Sequence, residues 1–236
     1  MSTQLEMLKS IYSPVLDAAG SLAYLKMQLG SEFTGAVDSC FSRAVSSVSD
    51  WYRYAISNDS SWDAMPLRPE NYTVASGLNH FNIDTWDGDL SAFQNRGGKL
   101  LHWRGLADGV LSSENSPRCY EHVPQTMGMN SKALDKFYQF FRISDRSHFD
   151  SGNGATFIGH QSASTSSLAP EENVLMAMVR WVESEVAPDT IMGTWYKNGT
   201  SDSGVDFKRR HCRWPYHNVY RGVGDHKDPG TWKCVL

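Results

Sequence analysis

The chain has 236 residues, of which 40% are hydrophobic and 12% aromatic, and its formal net charge is −4 at pH 7. This is enough apolar material for one sizeable hydrophobic core or two modest ones. The chain has no basic run or basic aromatic patch of the kind that binds nucleic acid. Its longest apolar runs are too short to cross a membrane, so we expect neither nucleic acid nor membrane as a partner.

Residues 1–80 are predicted to form short helices joined by loops. Apolar side chains recur at helical spacing near the N-terminus, at Leu5, Leu8 and Ile11. This stretch lacks the apolar core of a secretory signal, so we expect no signal peptide here. Further helices are predicted over residues 49–56 and 68–78, and Pro69 suits the first turn of the second one.

Residues 81–236 show an alternation of strand and helix patterns. A short buried strand is predicted over residues 99–103, and a helix over residues 116–123. A second, aromatic-rich strand follows over residues 136–144, and a long amphipathic helix over residues 169–189. Strands that alternate with helices in this order are typical of an α/β layer with parallel strands.

The long amphipathic helix has a marked start and end. Pro170 is predicted to begin it, Glu171 and Glu172 favour its N-terminus, and Pro188 stops it. Its predicted buried stripe consists of Val174, Met178, Val182 and Val186.

The C-terminal segment between Cys212 and Cys234 is rich in Trp, Pro, Gly and His and is predicted to be loop-like. A disulfide between these two cysteines would hold a tail that has little core of its own; two free thiols are the alternative if the protein is cytosolic. The charged residues 209–211 are predicted to face solvent.

Glycosylation sequons occur at three positions, Asn58, Asn71 and Asn198. No Cys/His spacing is typical of zinc, so neither a metal nor another cofactor is predicted.

Two polar residues follow the predicted parallel strands and form a candidate catalytic pair. Asp108 comes after the first strand and His148 after the second, and sites in such sheets lie beyond the carboxyl ends of the strands. In α/β-hydrolases the triad runs Ser, then Asp or Glu, then His. No G-x-S-x-G sequence, the usual context of the serine, occurs in the chain. The alternatives are a turn or helix-cap aspartate and a solvated loop histidine.

Four segments of the chain resemble the tannase and feruloyl esterase family. They are LEMLKSIYSPVLDAAGSLAY, FNIDTWDGDLSAFQNRGGKLLHWRGLADGVLSSENSPRCYEHV, FYQFFRIS with SHFDSGNGATFIGH, and HCRWPYHNVYRGVGDHKDPGTWKCV, which contains the family's paired cysteines. The resemblance implies a partial α/β-hydrolase fold over residues 81–236, with a remnant of the lid region over residues 1–80. It also implies a serine carboxylic ester hydrolase acting on aromatic acid esters, with Asp108 as the acid and His148 as the base. Members of this family are expected to be secreted.

The chain also departs from the family pattern. The family's serine and calcium site belong to a segment upstream of the one that this chain resembles. Phe149 stands where the family has a cysteine after the histidine, Arg104 replaces a histidine, and Gly109 replaces a proline. These departures suggest a naturally shortened relative. They leave open an alternative function, a non-hydrolytic protein of a fungal secondary-metabolite pathway that binds an aromatic or polyketide-like small molecule.

A partial hydrolase sheet should expose the strand edge that met the nucleophile strand. Such an edge promotes association. We therefore expect a homodimer, an N-terminal partner chain that supplies the missing strands, or a marginal fold.

Overall fold

The computed structural model of the chain describes residues 2–34, 46–63, 67–148, 152–160 and 167–236. These residues belong to two units. The first consists of Met1–Asp87 and Asp108–Asn115, and the second of Gly88–Ala107 and Ser116–Leu236.

The first unit is built from short helices and one small antiparallel strand pair. In chain order its elements are α1 (Ser2–Ile11), β1 (Val15–Leu16), β2 (Leu22–Tyr24), a 3-10 turn (Ser31–Thr34), α2 (Ser46–Asp50), a π-helix (Trp51–Ile56), α3 (Pro69–Leu78) and a 3-10 turn (His80–Asn82). The helices predicted over residues 49–56 and 68–78 are confirmed. Pro69 lies in the first turn of α3, where a missing N–H costs nothing.

From residue 88 onward the chain alternates helices and strands and then becomes mostly strand. Its elements are α4 (Ser91–Asn95), β3 (Leu100–Gly105), α5 (Asn115–Met127), α6 (Ser131–Leu134), β4 (Tyr138–Ile143), α7 (Val174–Ser184), β5 (Thr190–Tyr196), β6 (Val205–Cys212), β7 (His217–Tyr220) and β8 (Trp232–Val235). None of the helices in the described ranges is long and apolar enough to cross a bilayer.

The predicted parallel strand pair is confirmed. β3 and β4 pair in parallel, from Leu100 opposite Tyr138 to Gly105 opposite Ile143. The remaining strands of the second unit form two antiparallel pairs, β5 with β6 and β7 with β8. Because parallel strands run in the same direction, the segments that follow β3 and β4 begin at the same edge of the pair.

Side chains of β4 alternate between two apolar clusters. Tyr138 and Phe140 pack with Val123 of α5 on one side. Phe141 and Ile143 pack on the other side, in a cluster that includes residues of α7 and β5. A strand that buries both of its faces lies between two layers, as in α/β proteins.

The long helix α7 differs from its prediction in its start and in the face that it buries. It begins at Val174, because the Asn173 side chain accepts hydrogen bonds from the N–H groups of Leu175 and Met176, both at 3.1 Å. Pro170 lies in the preceding turn. The residues buried along the helix are Val174, Ala177 and Trp181, whereas Val182 and Val186 of the predicted stripe are exposed.

Replacing Trp181 with alanine should therefore lower the free energy of unfolding far more than replacing its neighbour Val182. Trp181 is 2% exposed and Val182 is 57% exposed. We expect a loss of about 3–5 kcal/mol for Trp181→Ala and less than about 0.5 kcal/mol for Val182→Ala. Urea denaturation followed by far-UV circular dichroism measures both. Equal losses would contradict the observed orientation of the helix.

The C-terminal segment contains more regular structure than its composition predicts. β7 and β8 lie within the stretch that was predicted to be loop-like. The disulfide between Cys212 and Cys234 is confirmed, and it joins the end of β6 to β8. The prediction that residues 209–211 face solvent is wrong for His211, which is 2% exposed, because β6 turns this side chain toward the protein interior.

Removing this disulfide should destabilise the chain. The two cysteines are 22 residues apart in sequence. Closing a loop of that length lowers the conformational entropy of the unfolded chain and so raises its free energy by about 3 kcal/mol. We expect the pair of substitutions Cys212→Ser and Cys234→Ser to lower the free energy of unfolding by about that amount. The matched control is Cys119→Ser, which changes a free thiol. An equal effect of both changes in urea denaturation would contradict the prediction.

Candidate active site

The segments that follow β3 and β4 are hydrogen-bonded to each other within the second unit. The N–H of Leu106 donates to the carbonyl of Ile143 at 3.0 Å, and the N–H of Ala107 donates to the carbonyl of Arg146 at 2.9 Å. Gly105 lies so close to the segment after β4 that a Cβ atom on Gly105 would be 2.4 Å from the Arg146 carbonyl oxygen. The strand pairing therefore continues beyond the last residues of both strands.

Asp108 directly follows this junction and begins a tight turn. Its Oδ1 atom accepts hydrogen bonds from the N–H groups of Val110 and Leu111, at 2.8 and 2.9 Å. The side chain is 1% exposed. These two hydrogen bonds are those of a turn aspartate, which is the alternative interpretation of this residue. A carboxylate held by two backbone donors is also suited to orient an imidazole.

The turn after Asp108 is anchored in the first unit. The hydroxyl of Tyr24, at the end of β2, accepts a hydrogen bond from the N–H of Ser112 at 2.8 Å. The hydroxyl of Ser112 donates to the carbonyl of Lys26 at 2.6 Å. These bonds hold the segment that Asp108 begins.

His148 is half-buried and follows β4 by a few residues. The segment before it is held by Arg146, which is fully buried and forms a bridge with Gly152. The Arg146 guanidinium donates to the carbonyl of Thr156 at 2.9 Å and lies 4.9 Å from the centre of the Trp103 ring. Arg146 thus ties together both sides of the loop that carries His148.

The two predicted residues are therefore placed after neighbouring parallel strands. Asp108 follows Ala107, which is bonded to Arg146, and His148 comes two residues after Arg146. Asp108 belongs to the first unit and His148 to the second. Phe149, where the family has a cysteine, lies outside the described residues.

Sequence reasoning missed the buried residues that support the loop around His148. His211 on β6 is buried, and its Nε2 atom is 2.8 Å from the carbonyl of Ala155, so the imidazole N–H donates to that oxygen. Burial lowers the pKa of His211 to about 4. No local sequence pattern marks His211 or Arg146, because their hydrogen-bond partners, Ala155 and Thr156, lie 56 and 10 residues away along the chain.

The buried state of His211 predicts a loss of stability in acid. Its pKa is about 4 in the folded chain, compared with an ordinary value of 6.5. Below pH 6.5 the unfolded chain binds a proton that the folded chain excludes, so stability should fall as the pH falls toward 4, by on the order of 3 kcal/mol. We expect His211→Gln to flatten this decrease in urea denaturation curves. The exposed His226 gives the control, and an equal flattening by His226→Gln would contradict the assignment.

The three glycosylation sequons lie in different surroundings. Asn58 and Asn198 are exposed and have positive φ angles of 48° and 55°. Asn71 lies in α3, and its side-chain oxygen accepts a hydrogen bond from the N–H of Arg68 at 2.7 Å. Glycosylation remains a prediction at all three.

Within the described ranges, no three side chains of His, Cys, Asp or Glu are grouped so that they could hold a metal ion.

Comparison with known proteins places these features in a family. A profile described as tannase and feruloyl esterase matches residues 33–235. The chain is 42% identical over 232 residues to a probable feruloyl esterase B-1 of Aspergillus flavus, covering 98% of this chain and 44% of that protein. It is 41% identical over 235 residues to a probable feruloyl esterase B-2 of Aspergillus terreus, covering 100% of this chain and 44% of that protein.

Solved structures give the same result. An esterase from Aspergillus oryzae superposes with a TM-score of 0.95 at 42% identity, covering 100% of this chain and 46% of that one. Feruloyl esterase B from Aspergillus oryzae superposes with a TM-score of 0.92 at 37% identity, with the same coverage. Tannin acyl hydrolase from Aspergillus niger, at 18% identity and a TM-score of 0.66, shares the fold.

The chain spans less than half the length of these curated relatives. Nothing in the comparisons supports the alternative of a non-hydrolytic protein of a secondary-metabolite pathway. The matched profile, the identities above 40% and the superpositions agree, and the chain belongs to the tannase and feruloyl esterase family.

Proposed function

We propose that this chain supplies the acid and the base of a serine carboxylic ester hydrolase that acts on aromatic acid esters. The proposal rests on the hydrogen bond between Ala107 and Arg146, which joins the segments that lead to Asp108 and His148. The names of the relatives, feruloyl esterases among them, support the substrate class. The α/β layers around β3 and β4 are compatible with part of an α/β-hydrolase fold.

In this proposal the imidazole of His148 takes the proton from a serine hydroxyl as that oxygen attacks the ester carbonyl. The alcohol leaves with the proton, and an acyl-enzyme remains. His148 then takes a proton from water as the water oxygen attacks the acyl group, and it returns that proton to the serine oxygen as the aromatic acid is released. Asp108 orients the imidazole and stabilises its charged form.

The serine has to come from outside these 236 residues, because they contain no G-x-S-x-G sequence. Strand β3 has an edge suited to receive the missing part. Among the described strands, β3 pairs only with β4, so its other edge offers backbone groups for pairing. We propose that the polypeptide that carries the serine adds a strand at this edge.

An N-terminal partner chain would fill this edge, and without one the chain should associate with itself through the same edge as a homodimer. Size-exclusion chromatography with light scattering tests this, and a monomer at micromolar concentration would contradict it. The disulfide between Cys212 and Cys234 supports an oxidising compartment. We therefore propose that the complete protein is secreted.

A hybrid enzyme tests the proposed activity. In the hybrid, this chain replaces the 46% of feruloyl esterase B from Aspergillus oryzae that it matches. We expect the chain alone to remain unlabelled by a fluorophosphonate probe, and the hybrid to be labelled and to hydrolyse methyl ferulate.

A second hybrid distinguishes a wrong proposal from a loss of activity caused by the replaced cysteine. It carries Phe149→Cys, which restores the cysteine that the family has at this position. If both hybrids melt cooperatively but neither is labelled nor hydrolyses methyl ferulate, the proposal is wrong.

A further inference from the structure

The loop that follows β4 is joined at its two ends. The backbone turns at Asp145, whose φ angle of 57° lies in the left-handed region, and the next residue, Arg146, forms a bridge with Gly152. A Cβ atom on Gly152 would collide with the carbonyl oxygen of Asp145, so the two ends of the loop are in direct contact. His148 comes between Arg146 and Gly152 in the chain and therefore belongs to a short loop whose ends are fixed to each other.

The far side of this loop is fixed to the rest of the second unit. Phe157 exchanges two backbone hydrogen bonds with Thr194 of β5, at 2.9 and 3.2 Å. The N–H of Val174, the first residue of α7, donates to the carbonyl of Ile158 at 2.8 Å. Thr156 directly precedes these paired residues and is fully buried. Its carbonyl oxygen is therefore an acceptor with a fixed position.

The side chain of Arg146 connects the start of the loop to this fixed side. Its Nη1 donates to the carbonyl of Thr156 at 2.9 Å, and its guanidinium lies 4.9 Å from the centre of the Trp103 ring on β3. The carbonyl of Arg146 accepts the hydrogen bond from Ala107 at 2.9 Å. The backbone and the side chain of Arg146 are thus both held by partners outside the loop's own tip.

A fully buried guanidinium contributes more to geometry than to stability. Taking a cation out of water is costly, and a buried charge often stabilises a fold less than an apolar side chain of similar volume. A hydrogen bond to a carbonyl and a contact with a ring face are both directional, so together they hold the guanidinium in one orientation. His148 follows Arg146 by two residues, which is about 7 Å of extended chain at most. An anchor at Arg146 therefore restricts where the imidazole can lie.

We propose that Arg146 is a positioning residue for His148, acting through the guanidinium that is held by Trp103 and the Thr156 carbonyl. Arg146 takes no part in bond making or breaking. It sets the position of the imidazole beyond the carboxyl end of β4. The expected effect on rate rests on the ester hydrolysis proposed above, whereas the fixed placement of His148 is a property of the 236-residue chain alone.

Nuclear magnetic resonance of the 236-residue chain tests the placement of His148. With ¹³C-labelled histidine, and with His148→Gln to assign the signal, we expect one sharp ring resonance for His148. Arg146→Met keeps an unbranched side chain but removes the charge and the donor, so this resonance should broaden or split. The control is Arg221→Met, which removes an exposed charge and should leave the resonance unchanged. A His148 resonance that is identical in the unmodified chain and in folded Arg146→Met would overturn the proposal.

Kinetics of the hybrid enzyme test the effect on rate. We expect Arg146→Met to lower kcat for methyl ferulate by about 100-fold, since displacing a reacting group by about 1 Å costs that much, and to leave KM within about twofold. Arg146→Lys should have a smaller effect, because lysine keeps the charge but not the planar fork; it gives the result if Arg146→Met fails to fold. The control for a general loss of stability is Trp181→Ala, which removes a buried side chain of α7 and should change kcat less than threefold where that variant is folded.

The two measurements distinguish a failure of this inference from a failure of the proposed function. If the unmodified hybrid does not hydrolyse methyl ferulate, the proposed function fails, and the His148 resonance still decides whether Arg146 holds the imidazole. If the unmodified hybrid is active, kcat within threefold in the folded Arg146 variants, or an equal decrease in Trp181→Ala, would overturn the positioning role.

Discussion

Asp108→Asn and His148→Ala should each reduce the hydrolysis of methyl ferulate by the hybrid enzyme by about three to four orders of magnitude. In a serine triad the imidazole must accept the serine proton, and the carboxylate must hold the imidazole in the right tautomer, so loss of either costs about 10⁴-fold in kcat. Steady-state kinetics of each variant, beside the unmodified hybrid, measures the effect.

The substitution at Asp108 distinguishes a catalytic role from a structural one. Asparagine keeps the Oδ1 atom that accepts from Val110 and Leu111, so the turn should survive while the negative charge is lost. A turn aspartate without catalytic function would tolerate this change. Activity within threefold of the unmodified hybrid would therefore assign Asp108 to the turn alone.

The substitution at His148 has its own controls. Free imidazole should restore part of the activity of His148→Ala, since a small base can enter the space left by the side chain. A merely structural histidine would not show this rescue. His226→Ala, which changes an exposed histidine, should leave the rate unchanged.

The central strands and the long helix are predictable from sequence because their signals are local. The aromatic run of β4 and the apolar positions of α7 mark a strand and a helix whatever they pack against. The buried face of α7 was harder to predict. Its buried residues, Val174, Ala177 and Trp181, lie at positions i, i+3 and i+7, which share one face of a helix. The predicted stripe advances by four residues at each step and so turns by about 40° around the helix each time, which takes Val182 away from the buried face.

The strand β6 was missed because charged residues mask its pattern. β6 contains Lys208, Arg209 and Arg210 in a row, and such a run is usually a solvated surface. Its strand character follows from pairing with β5, as Thr190 lies opposite Cys212. Pairing of this kind is a long-range property that local composition does not report.

Asp108 and His148 were predictable as candidates because chain order alone places them after neighbouring strands. The residues that fix their segments were not. Arg146 and His211 bond to the carbonyls of Thr156 and Ala155, and such contacts depend on how the loop after β4 folds back. Sequence patterns could therefore propose the reacting groups but not what holds them.

The close approach at Gly105 predicts a second large effect. A Cβ atom at this position would lie 2.4 and 2.6 Å from the carbonyl oxygens of Arg146 and Ser147. Both are backbone atoms, so the clash cannot be relieved by rotating a side chain. We expect Gly105→Ala to lower the free energy of unfolding of the chain by about 3 kcal/mol, the upper range for overpacking, as measured by urea denaturation followed by tryptophan fluorescence.

Gly77 provides the matched control for this substitution. It lies in α3, and a Cβ atom there would meet nothing within 4 Å, so Gly77→Ala should raise stability by up to about 1 kcal/mol through helix propensity. The opposite signs separate a steric effect from a general effect of alanine. Because the displaced carbonyls directly precede His148, Gly105→Ala should also reduce hydrolysis by the hybrid. Unchanged stability and activity in Gly105→Ala would mean that the segments after β3 and β4 do not approach each other, and the proposed pairing of Asp108 with His148 would lose its support.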